Sequence, residues 1–266
     1  AAAALRNLGY DNVHTKVGDG YQGWPEHAPF DKIIVTCSPE QIPPALVAQL
    51  RDGGRMVVPV GERYQQNLYL LKKVGGKMEF EALRPTLFVP MTGRAEDNRR
   101  ILPDPENPTI HNGDFEQLVG EAAQPSAWYY QRQAELMSGD GAPSGNNYLL
   151  FSNSQPGRGA QALQGMAVDG RKVRNLKVSL FVRGEELSAG QNLRQQPMLA
   201  ITFYDDRRAT AGQGSVGPWR GTFDWRQQTA LIPVPPRARE AIVRIGLLGA
   251  TGKLSLDQIE IGPSEP

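Results

Sequence analysis

The segment from Val17 to Val35 holds the residue types best suited to binding a small ligand. Gly18, Asp19 and Gly20 close one apolar run, and a second run that reads as a buried strand follows within about a dozen residues. In α/β proteins, a loop at the carboxyl end of a strand presents polar groups to ligands. Taken alone, such an Asp-Gly pair is more often a turn in which the carboxylate satisfies neighbouring amides. The segment therefore suggests one half of a ligand site and raises the question of the other half.

Several short elements must position this loop. Their order predicts an α/β sheet with an antiparallel edge, because a helix separates two β-branched runs and a Gly-Gly turn joins the last two runs. The helix begins with two prolines, which a first helical turn tolerates, and is followed by a Gly-Gly stop signal. The predicted strands are Asn12–Val17, Lys32–Thr36, Arg55–Val60, Asn67–Lys73 and Met78–Val89, and the predicted helix is Pro43–Leu50.

Composition limits the class of protein. With 266 residues, two domains are expected, and 39% hydrophobic with 21% charged residues is typical of a globular chain. A net charge of +1 gives no reason to expect a nucleic-acid or membrane partner, and no apolar run approaches the roughly 20 residues of a membrane span. The single cysteine, Cys37, excludes an internal disulfide and favours a reducing, cytoplasmic location. His14, His27 and His111 lie in unrelated contexts, and none is assigned to metal binding or proton transfer.

The composition changes after Gly93. Residues 94–109 contain many charges, three prolines and little periodicity, which predicts a linker between a first domain, 1–93, and a second, 110–266. In the second domain, short strand-like runs recur between Gly, Pro, Asn and Asp clusters, a pattern typical of an all-β antiparallel sandwich or jelly roll. These runs are Tyr148–Ser152, Leu176–Arg183, Met198–Tyr204, Thr229–Pro233, Ala241–Leu248 and Lys253–Ile261.

The first domain carries four motifs in a fixed order: LGYDNV, VGDGYQGWPEHAPFDKIIVT, IPPALVAQLRDGGRMVVPVGERYQQNLYLL and FVPMTG. Together they resemble the second half of the protein-L-isoaspartate O-methyltransferases, enzymes that use S-adenosylmethionine to methylate damaged aspartyl residues in proteins. The resemblance runs from about Leu8 to Gly93. It implies a partial Rossmann-like methyltransferase domain, S-adenosylmethionine as cofactor, and isoaspartyl-containing proteins or peptides as substrates.

The resemblance also implies roles for individual residues. Asp19 would accept a hydrogen bond from the adenine amine, and Gly20 would let the ring approach the backbone. Thr36, at the end of a strand, and Thr92, in the tail, would contact the substrate. No protein nucleophile is required, because an ionised isoaspartyl carboxylate can attack the sulfonium methyl directly. Cys37 is therefore interpreted as a small buried residue.

Two interpretations remain open within this resemblance. The tail Phe88–Gly93 is either a segment that crosses near cofactor and peptide or an edge strand leading into the linker. Trp24 and Pro25 are interpreted as packing residues in preference to substrate contacts. Cys37 and Ser38 stand where family members more often carry small apolar residues.

Three features of the family are missing: a Gly-rich loop after the first strand, an acidic residue for the ribose, and a Ser/Thr loop at the substrate carboxylate. Catalytic residues are therefore expected upstream of Ala1. In the family fold, the two absent strands lie between the third strand, Asn12–Val17, and the fourth, at the centre of the sheet. Without them the backbone groups of Asn12–Val17 have no obvious partner. We expect the chain alone to bind cofactor poorly. It is either a fragment of an enzyme or a protein whose sheet is completed by another polypeptide.

The second domain resembles the jelly-roll modules of the carbohydrate-binding superfamily. The resemblance rests on NGDFE at Asn112, the strand-like segment from Gly170 to Arg183 and LSLDQIEI near the end. It implies a structural calcium held by Glu116 and Asp257, with Asp114 a poorer candidate. Five aromatic residues are available to stack on a sugar, although core packing is expected for most of them. They are Trp128, Tyr129, Tyr130, Trp219 and Trp225.

Two functions of different classes follow. The first is a protein-L-isoaspartate O-methyltransferase carrying a jelly-roll module and represented here without its N-terminal cofactor loop. The alternative is a non-catalytic binding protein, in which a degenerate methyltransferase remnant stands beside a module that binds glycan or protein. The sequence does not determine the ligand of the module or the oligomeric state.

Overall fold

In the computed structural model of the protein, residues 2–139 and 141–264 are described. Ala1, Asp140, Glu265 and Pro266 belong to the predicted domains but lie outside the described residues. The described residues form two hydrophobic cores, one between positions 35 and 91 and the other between positions 110 and 261. Both cores are built on β-sheets. The predicted domain boundaries remain a prediction.

The N-terminal core lies on a four-stranded sheet. The elements of this region are α1 (Ala2–Asn7), β1 (Phe30–Ile34), α2 (Pro44–Gln49), β2 (Leu50–Glu62), β3 (Gln65–Val74) and β4 (Lys77–Thr86). The strand order is β1-β2-β3-β4, with β1 parallel to β2 and the other neighbours antiparallel. The side chains of Met56, Val58 and Leu71 are fully buried at the centre of the sheet.

The predicted helix at residues 43–50 and the hairpin turn at Gly75–Gly76 are confirmed. Strand β2 begins at Leu50, earlier than predicted, because Leu50 leaves the helix directly into parallel pairing with Phe30. The parallel pair and the connecting helix form one βαβ unit. A complete Rossmann-like arrangement remains a prediction.

The predicted strand Asn12–Val17 is wrong. These residues form no regular element and are exposed, with the side chain of Val17 fully open to solvent. A strand needs a partner for its backbone N–H and C=O groups, and no described strand lies beside this segment. Strand β1 likewise pairs only with β2 among the described strands, and the side chain of Ile34 is 76% exposed.

The segment predicted as a linker is attached to the N-terminal region over its first part. It opens with a short helix, α3 (Arg94–Asp97). The buried guanidinium of Arg99 donates hydrogen bonds to the carbonyls of Gly61 (3.1 Å) and Ser38 (3.2 Å). The carboxylate of Glu40 accepts the next two backbone N–H groups along the segment.

The C-terminal region is an antiparallel sandwich, as predicted, and two five-stranded sheets enclose the larger core. The strands of this region are β5 (Leu118–Val119), β6 (Gln124–Pro125), β7 (Tyr129–Arg132), β8 (Ala134–Ser138), β9 (Asn147–Asn153), β10 (Gln161–Ala167), β11 (Asn175–Ser188), β12 (Met198–Tyr204), β13 (Thr210–Val216), β14 (Gly221–Pro233), β15 (Glu240–Gly246) and β16 (Thr251–Pro263). The sheets have the orders β13-β12-β15-β10-β7 and β14-β11-β16-β9-β8, and β5 and β6 pair separately with each other. Each of the six predicted strand runs falls on one of these strands.

The two regions meet at the hairpin between β2 and β3. The Tyr129 hydroxyl donates to the carbonyl of Tyr64 and accepts a hydrogen bond from the N–H of Gln66 (3.2 Å). The Tyr64 hydroxyl donates to the Glu240 carboxylate (3.2 Å), and its ring lies over Gly165, where a side chain would collide with it. Burial raises the pKa of Tyr129 and raises that of Tyr64 to about 12, so both hydroxyls remain donors at neutral pH.

Candidate functional site

The loop that carries Asp19 folds into a short 3-10 turn, Gly20–Gln22, and a second 3-10 turn, Pro25–His27, lies between it and β1. One carboxylate oxygen of Asp19 caps this turn by accepting the backbone N–H of Tyr21 (3.0 Å). The second oxygen, Oδ2, accepts no hydrogen bond from another described residue. Gly20 faces open space, because a Cβ there would meet no atom within 4 Å. The loop therefore offers one free acceptor beside an unobstructed stretch of backbone.

Gln49, at the end of α2, fixes the other end of this loop. Its amide oxygen accepts the N–H of Trp24 (2.7 Å), and its amide nitrogen donates to the carbonyl of Gln22 (2.9 Å). Between these contacts Gly23 has φ +67°, and a Cβ there would lie 2.2 Å from the Gln49 oxygen. Only glycine fits both the conformation and the space. Sequence reasoning missed Gln49, although a buried glutamine on an apolar helix face was a usable signal.

The tail Phe88–Gly93 reaches the same edge. The N–H of Ser38 donates to the carbonyl of Val89 (2.8 Å), and the N–H of Met91 donates to the carbonyl of Ser38 (3.0 Å). A Cβ on Gly93 would lie 3.4 Å from Asp19 Cγ. The tail thus joins the loop after β1 to the Asp19 loop.

The predicted substrate residues Thr36 and Thr92 are both exposed near this edge. Neither forms a hydrogen bond with another described residue. Thr36 lies two positions before Ser38, and Thr92 lies between Met91 and Gly93. Their roles remain predictions, because the structure places both near the loop without showing a contact between them.

A cavity of about 590 Å³ opens between the Asp19 loop, β1 and α2. Its wall includes Asp19 and Gly20, and Leu46 and Ile33 supply apolar surface. At its rim Lys16 forms an ion pair with Glu26 (2.9 Å), and this contact lowers the pKa of Glu26. The volume is in the range of ligand sites in proteins.

Trp24 and Pro25 line the cavity, so their interpretation as packing residues remains a prediction, and Cys37 is less buried than predicted. The Trp24 ring packs edge-on against His27, with 4.5 Å between ring centroids. Cys37 is half-buried against the N-terminal core, and burial raises the pKa of its thiol. A thiol held protonated is a poor nucleophile.

The predicted calcium ligands Glu116 and Asp257 hold a loop of the sandwich. Glu116 Oε1 accepts the backbone N–H groups of Asn146 (2.6 Å) and Asn147 (2.8 Å), and Asp257 Oδ2 accepts that of Ser144 (2.9 Å). Burial, with a smaller contribution from the nearby carboxylates of Asp114 and Glu116, raises the pKa of Asp257 to about 6. Within the described part of the chain, no group of three or more His, Cys, Asp or Glu side chains is placed to hold a metal ion. The calcium prediction is therefore unsupported.

Most of the five aromatic residues considered for sugar stacking are core residues. Trp128, Tyr129 and Trp219 are at most 2% exposed. Tyr130 is 56% exposed, and Trp225 is partly exposed beside Arg183, whose guanidinium lies 4.9 Å from the Trp225 ring centroid. Trp225 Nε1 donates to the carbonyl of Gly141 (2.8 Å).

The parallel pair β1–β2 and the helix that joins its strands make the N-terminal region an α/β segment, with the Asp19 loop beside it. Residues 1–96 match the family model of Protein-L-isoaspartate(D-aspartate) O-methyltransferase (PCMT). The N-terminal third of the chain is thus related to this family, as the sequence motifs predicted.

Among the described residues, no helix is both long and apolar enough to span a bilayer.

Curated relatives match the same region. A protein-L-isoaspartate O-methyltransferase of Opitutus terrae is 52% identical over 93 residues, which are 35% of this chain and 40% of the relative. Protein-L-isoaspartate O-methyltransferase 2 of a Polaromonas species is 48% identical over 96 residues, 35% of this chain and 46% of the relative. The chain therefore spans less than half the length of these relatives.

Solved structures overlap more loosely. A protein-L-isoaspartate O-methyltransferase is 22% identical, covers 61% of this chain and 48% of its own length, and has a TM-score of 0.34. A structure described as "CBM4 structure and function" is 15% identical, covers 58% of this chain and 99% of its own length, and has a TM-score of 0.38. Neither TM-score reaches 0.5, so neither overlap defines the fold.

Proposed function

We propose that the N-terminal region is the adenine-binding half of a protein-L-isoaspartate O-methyltransferase site that uses S-adenosylmethionine. One observation carries the proposal: Asp19 Oδ2, the open backbone at Gly20 and the tail at Gly93 lie together at one edge of the sheet. This is the arrangement that the family resemblance implies for the adenine contact. The activity, the isoaspartyl substrate and a cytoplasmic location belong to the proposal.

The residues present fit the adenine end of the cofactor. A carboxylate oxygen with no other partner is a strong acceptor for an exocyclic amine. The missing side chain at Gly20 leaves room for a flat ring against the backbone. Gln49 fixes the loop from behind, so the acceptor is already positioned before the ligand arrives.

In this proposal the residues of the chain contribute to methyl transfer mainly by aligning the two reactants. When bound, S-adenosylmethionine supplies an electrophilic methyl group on a sulfonium. An ionised isoaspartyl carboxylate oxygen forms the new bond to that methyl carbon as the carbon–sulfur bond breaks, and the sulfur keeps the electron pair. The chain's own contribution is to hold the adenine at Asp19 and to present Thr36 and Thr92 beside the incoming peptide.

A chimera tests this proposal. The part of the Opitutus terrae relative that precedes the matched region is fused to the full chain, residues 1–266, and methyl transfer to an isoaspartyl peptide is measured. We expect activity, and we expect Asp19→Asn to raise the KM for S-adenosylmethionine by about tenfold through loss of a charged acceptor. Asp11→Asn, at an exposed position in the same region, serves as the matched control. An active chimera in which Asp19→Asn leaves this KM unchanged would remove Asp19 from the site.

The non-catalytic alternative is favoured by a different observation. Strand β1 is unpaired on its outer side among the described strands, and the Ile34 side chain is 76% exposed. In this alternative the sandwich would bind glycan or protein, with Trp225 as the exposed aromatic contact. An inactive chimera that is folded by circular dichroism would favour this alternative.

A further inference from the structure

The sandwich carries a second large cavity, of about 680 Å³, on the outer face of the sheet β13-β12-β15-β10-β7. Three adjacent strands form its floor: Arg244 on β15 lies opposite Ala200 on β12, which lies opposite Ser215 on β13. Residues directly opposite in a ladder share one face of the sheet. Ala200 projects only a methyl group between two longer side chains, so the floor is lowest at its centre. The proposed methyltransferase function does not use this cavity.

The charge in this cavity is positive and unpaired. Arg194 and Arg244 are the only charged residues in its lining. Neither guanidinium forms an ion pair or hydrogen bond with another described residue. The acidic residue farther along the same face of β15, Glu240, is already bound by Arg208 (3.0 Å) and by the Tyr64 hydroxyl (3.2 Å). The cavity therefore attracts anions without an internal competitor.

Four of the six neutral polar side chains in the lining also make no hydrogen bond with another described residue, whereas Asn192 and Gln195 each accept a backbone N–H of their own loop. Gln161, Thr202, Gln213 and Ser215 make no side-chain hydrogen bond with another described residue, and Thr202 is only 8% exposed. Polar groups in a concave surface normally find partners in the protein, in water or in a ligand. Amide and hydroxyl side chains both donate and accept, as hydroxyl groups of a ligand do.

The wall of the cavity is organised in advance. The loop before β12 is closed by a hydrogen bond from the N–H of Gly190 to the carbonyl of Gln195 (2.8 Å), and the Gln195 side chain accepts the N–H of Gln191 (2.6 Å). This loop carries Arg194 over the floor that holds Arg244. No aromatic ring lines the cavity, so ring stacking does not contribute to recognition there.

We infer that this cavity binds a hydroxylated organic anion. Arg194 and Arg244 hold its carboxylate or phosphate through charge-assisted hydrogen bonds, and the amide and hydroxyl side chains bind its hydroxyl groups. A peptide fits less well, because the face of a sheet offers no free backbone edge to its N–H and C=O groups.

Calorimetric titration of the full chain tests this inference with three probes that share one sugar framework: glucuronate, glucose 6-phosphate and glucose. We expect at least one anion to bind at least about tenfold more tightly than glucose, and to weaken with added salt. The two anions distinguish a carboxylate ligand from a phosphate ligand. Equal affinity for glucose, or no binding of either anion, would overturn the inference.

Variants locate the binding. Arg244→Gln and Arg194→Gln should each weaken the anion by about tenfold or more, because each removes a charge-assisted contact. Arg207→Gln, at an exposed position outside the cavity, should leave the affinity unchanged. Arg244→Lys keeps the positive charge and serves as a second test of this position if Arg244→Gln fails to fold. Melting curves of Arg244→Gln and Arg244→Lys show whether each variant is folded. Affinity unchanged in both glutamine variants, or a triglutamate peptide bound as tightly as the sugar anions, would contradict the inference.

Discussion

The two regions of the molecule differ in how completely their sheets are covered. In the sandwich, two five-stranded sheets face each other, and the side chains of Leu149, Phe151 and Phe203 between them are fully buried. In the N-terminal region, a single sheet carries the core, and Ile34 on its edge strand is largely exposed. Each sheet of the sandwich is covered by the other sheet. The N-terminal sheet has no second sheet of its own to cover it, so we infer that its stability depends partly on contacts from outside this sheet.

One source of such contacts is the sandwich itself. The Tyr129 hydroxyl of the sandwich fixes the hairpin between β2 and β3. A second source is the segment that leads to the sandwich, where the buried Arg99 binds the carbonyl of Ser38 in the loop after β1. Both contacts satisfy buried backbone groups that would otherwise be unpaired. We therefore expect the two regions to be coupled in stability, with the sandwich as the stronger partner.

The largest effect is expected in the core of the sandwich. Phe151→Ala should lower the free energy of unfolding by about 3–5 kcal/mol, because a fully buried ring is replaced by a cavity. Leu231→Ala, at a position 63% exposed, should change it by less than about 0.5 kcal/mol. Urea denaturation measures both values. Similar losses in the two variants would mean that this core is not the main source of stability.

A pH dependence is expected from Asp257. Its pKa rises from an ordinary value near 4 to about 6 in the folded protein, chiefly through burial. The protonated carboxyl therefore favours the folded state below about pH 4, and this contribution is lost as the pH rises through 6. Relative to Asp257→Asn, the wild type should lose on the order of 2–3 kcal/mol of stability between pH 4 and pH 7.

Denaturation of both proteins across this pH range gives the difference. Asp206→Asn, at an exposed position, is the matched control and should follow the wild type. A constant difference between the wild type and Asp257→Asn would show that the carboxyl titrates normally in the folded state. That result would contradict a raised pKa of Asp257 in the folded sandwich.

Coupling between the regions is tested by Tyr129→Phe. The variant leaves the buried N–H of Gln66 without its acceptor, which should cost about 1–3 kcal/mol. Faster hydrogen exchange at Gln66 reports the loss directly. Tyr130→Phe, whose exposed hydroxyl makes no hydrogen bond with a described residue, is the control. Unchanged exchange at Gln66 would mean that the N-terminal sheet does not depend on this contact.

A smaller, local effect is expected at the ligand loop. Gln49→Ala removes the acceptor of the Trp24 N–H and the donor to Gln22, and should cost about 1–2 kcal/mol. Exchange at the Trp24 amide should accelerate, while Gln41→Ala, at an exposed position, should have no effect. Unaltered exchange in Gln49→Ala would show that the loop is held by other contacts.

Local sequence signals predicted much of the fold but little of the site. The helix after Pro43 and the turn at Gly75–Gly76 were found because each depends on a few adjacent residues. The strand at Asn12–Val17 was wrong, because a strand exists only beside a partner, and none is described next to it. Strands β10 and β13 were missed because glycine and glutamine interrupt their apolar alternation.

The candidate site shows the same limit. Asp19 and Gly20 are predicted from the family motifs, the structure leaves both accessible, and their roles remain predictions. The role of Gln49 was not predicted, because it acts across 25 to 27 positions of sequence. Glu116 and Asp257 were chosen correctly as neighbours, but their oxygens accept N–H groups of a loop, which the residue types alone do not reveal.

The central claim is that the N-terminal region is the adenine half of a methyl-donor site and is insufficient alone. Titration of S-adenosylmethionine into the chain, followed by calorimetry, tests it most directly. We predict little or no binding, because the matched region covers less than half of the Opitutus terrae and Polaromonas relatives and β1 pairs on one side only among the described strands. Binding at micromolar concentration would contradict this account, because the Asp19 loop would then suffice without the rest of the family's domain.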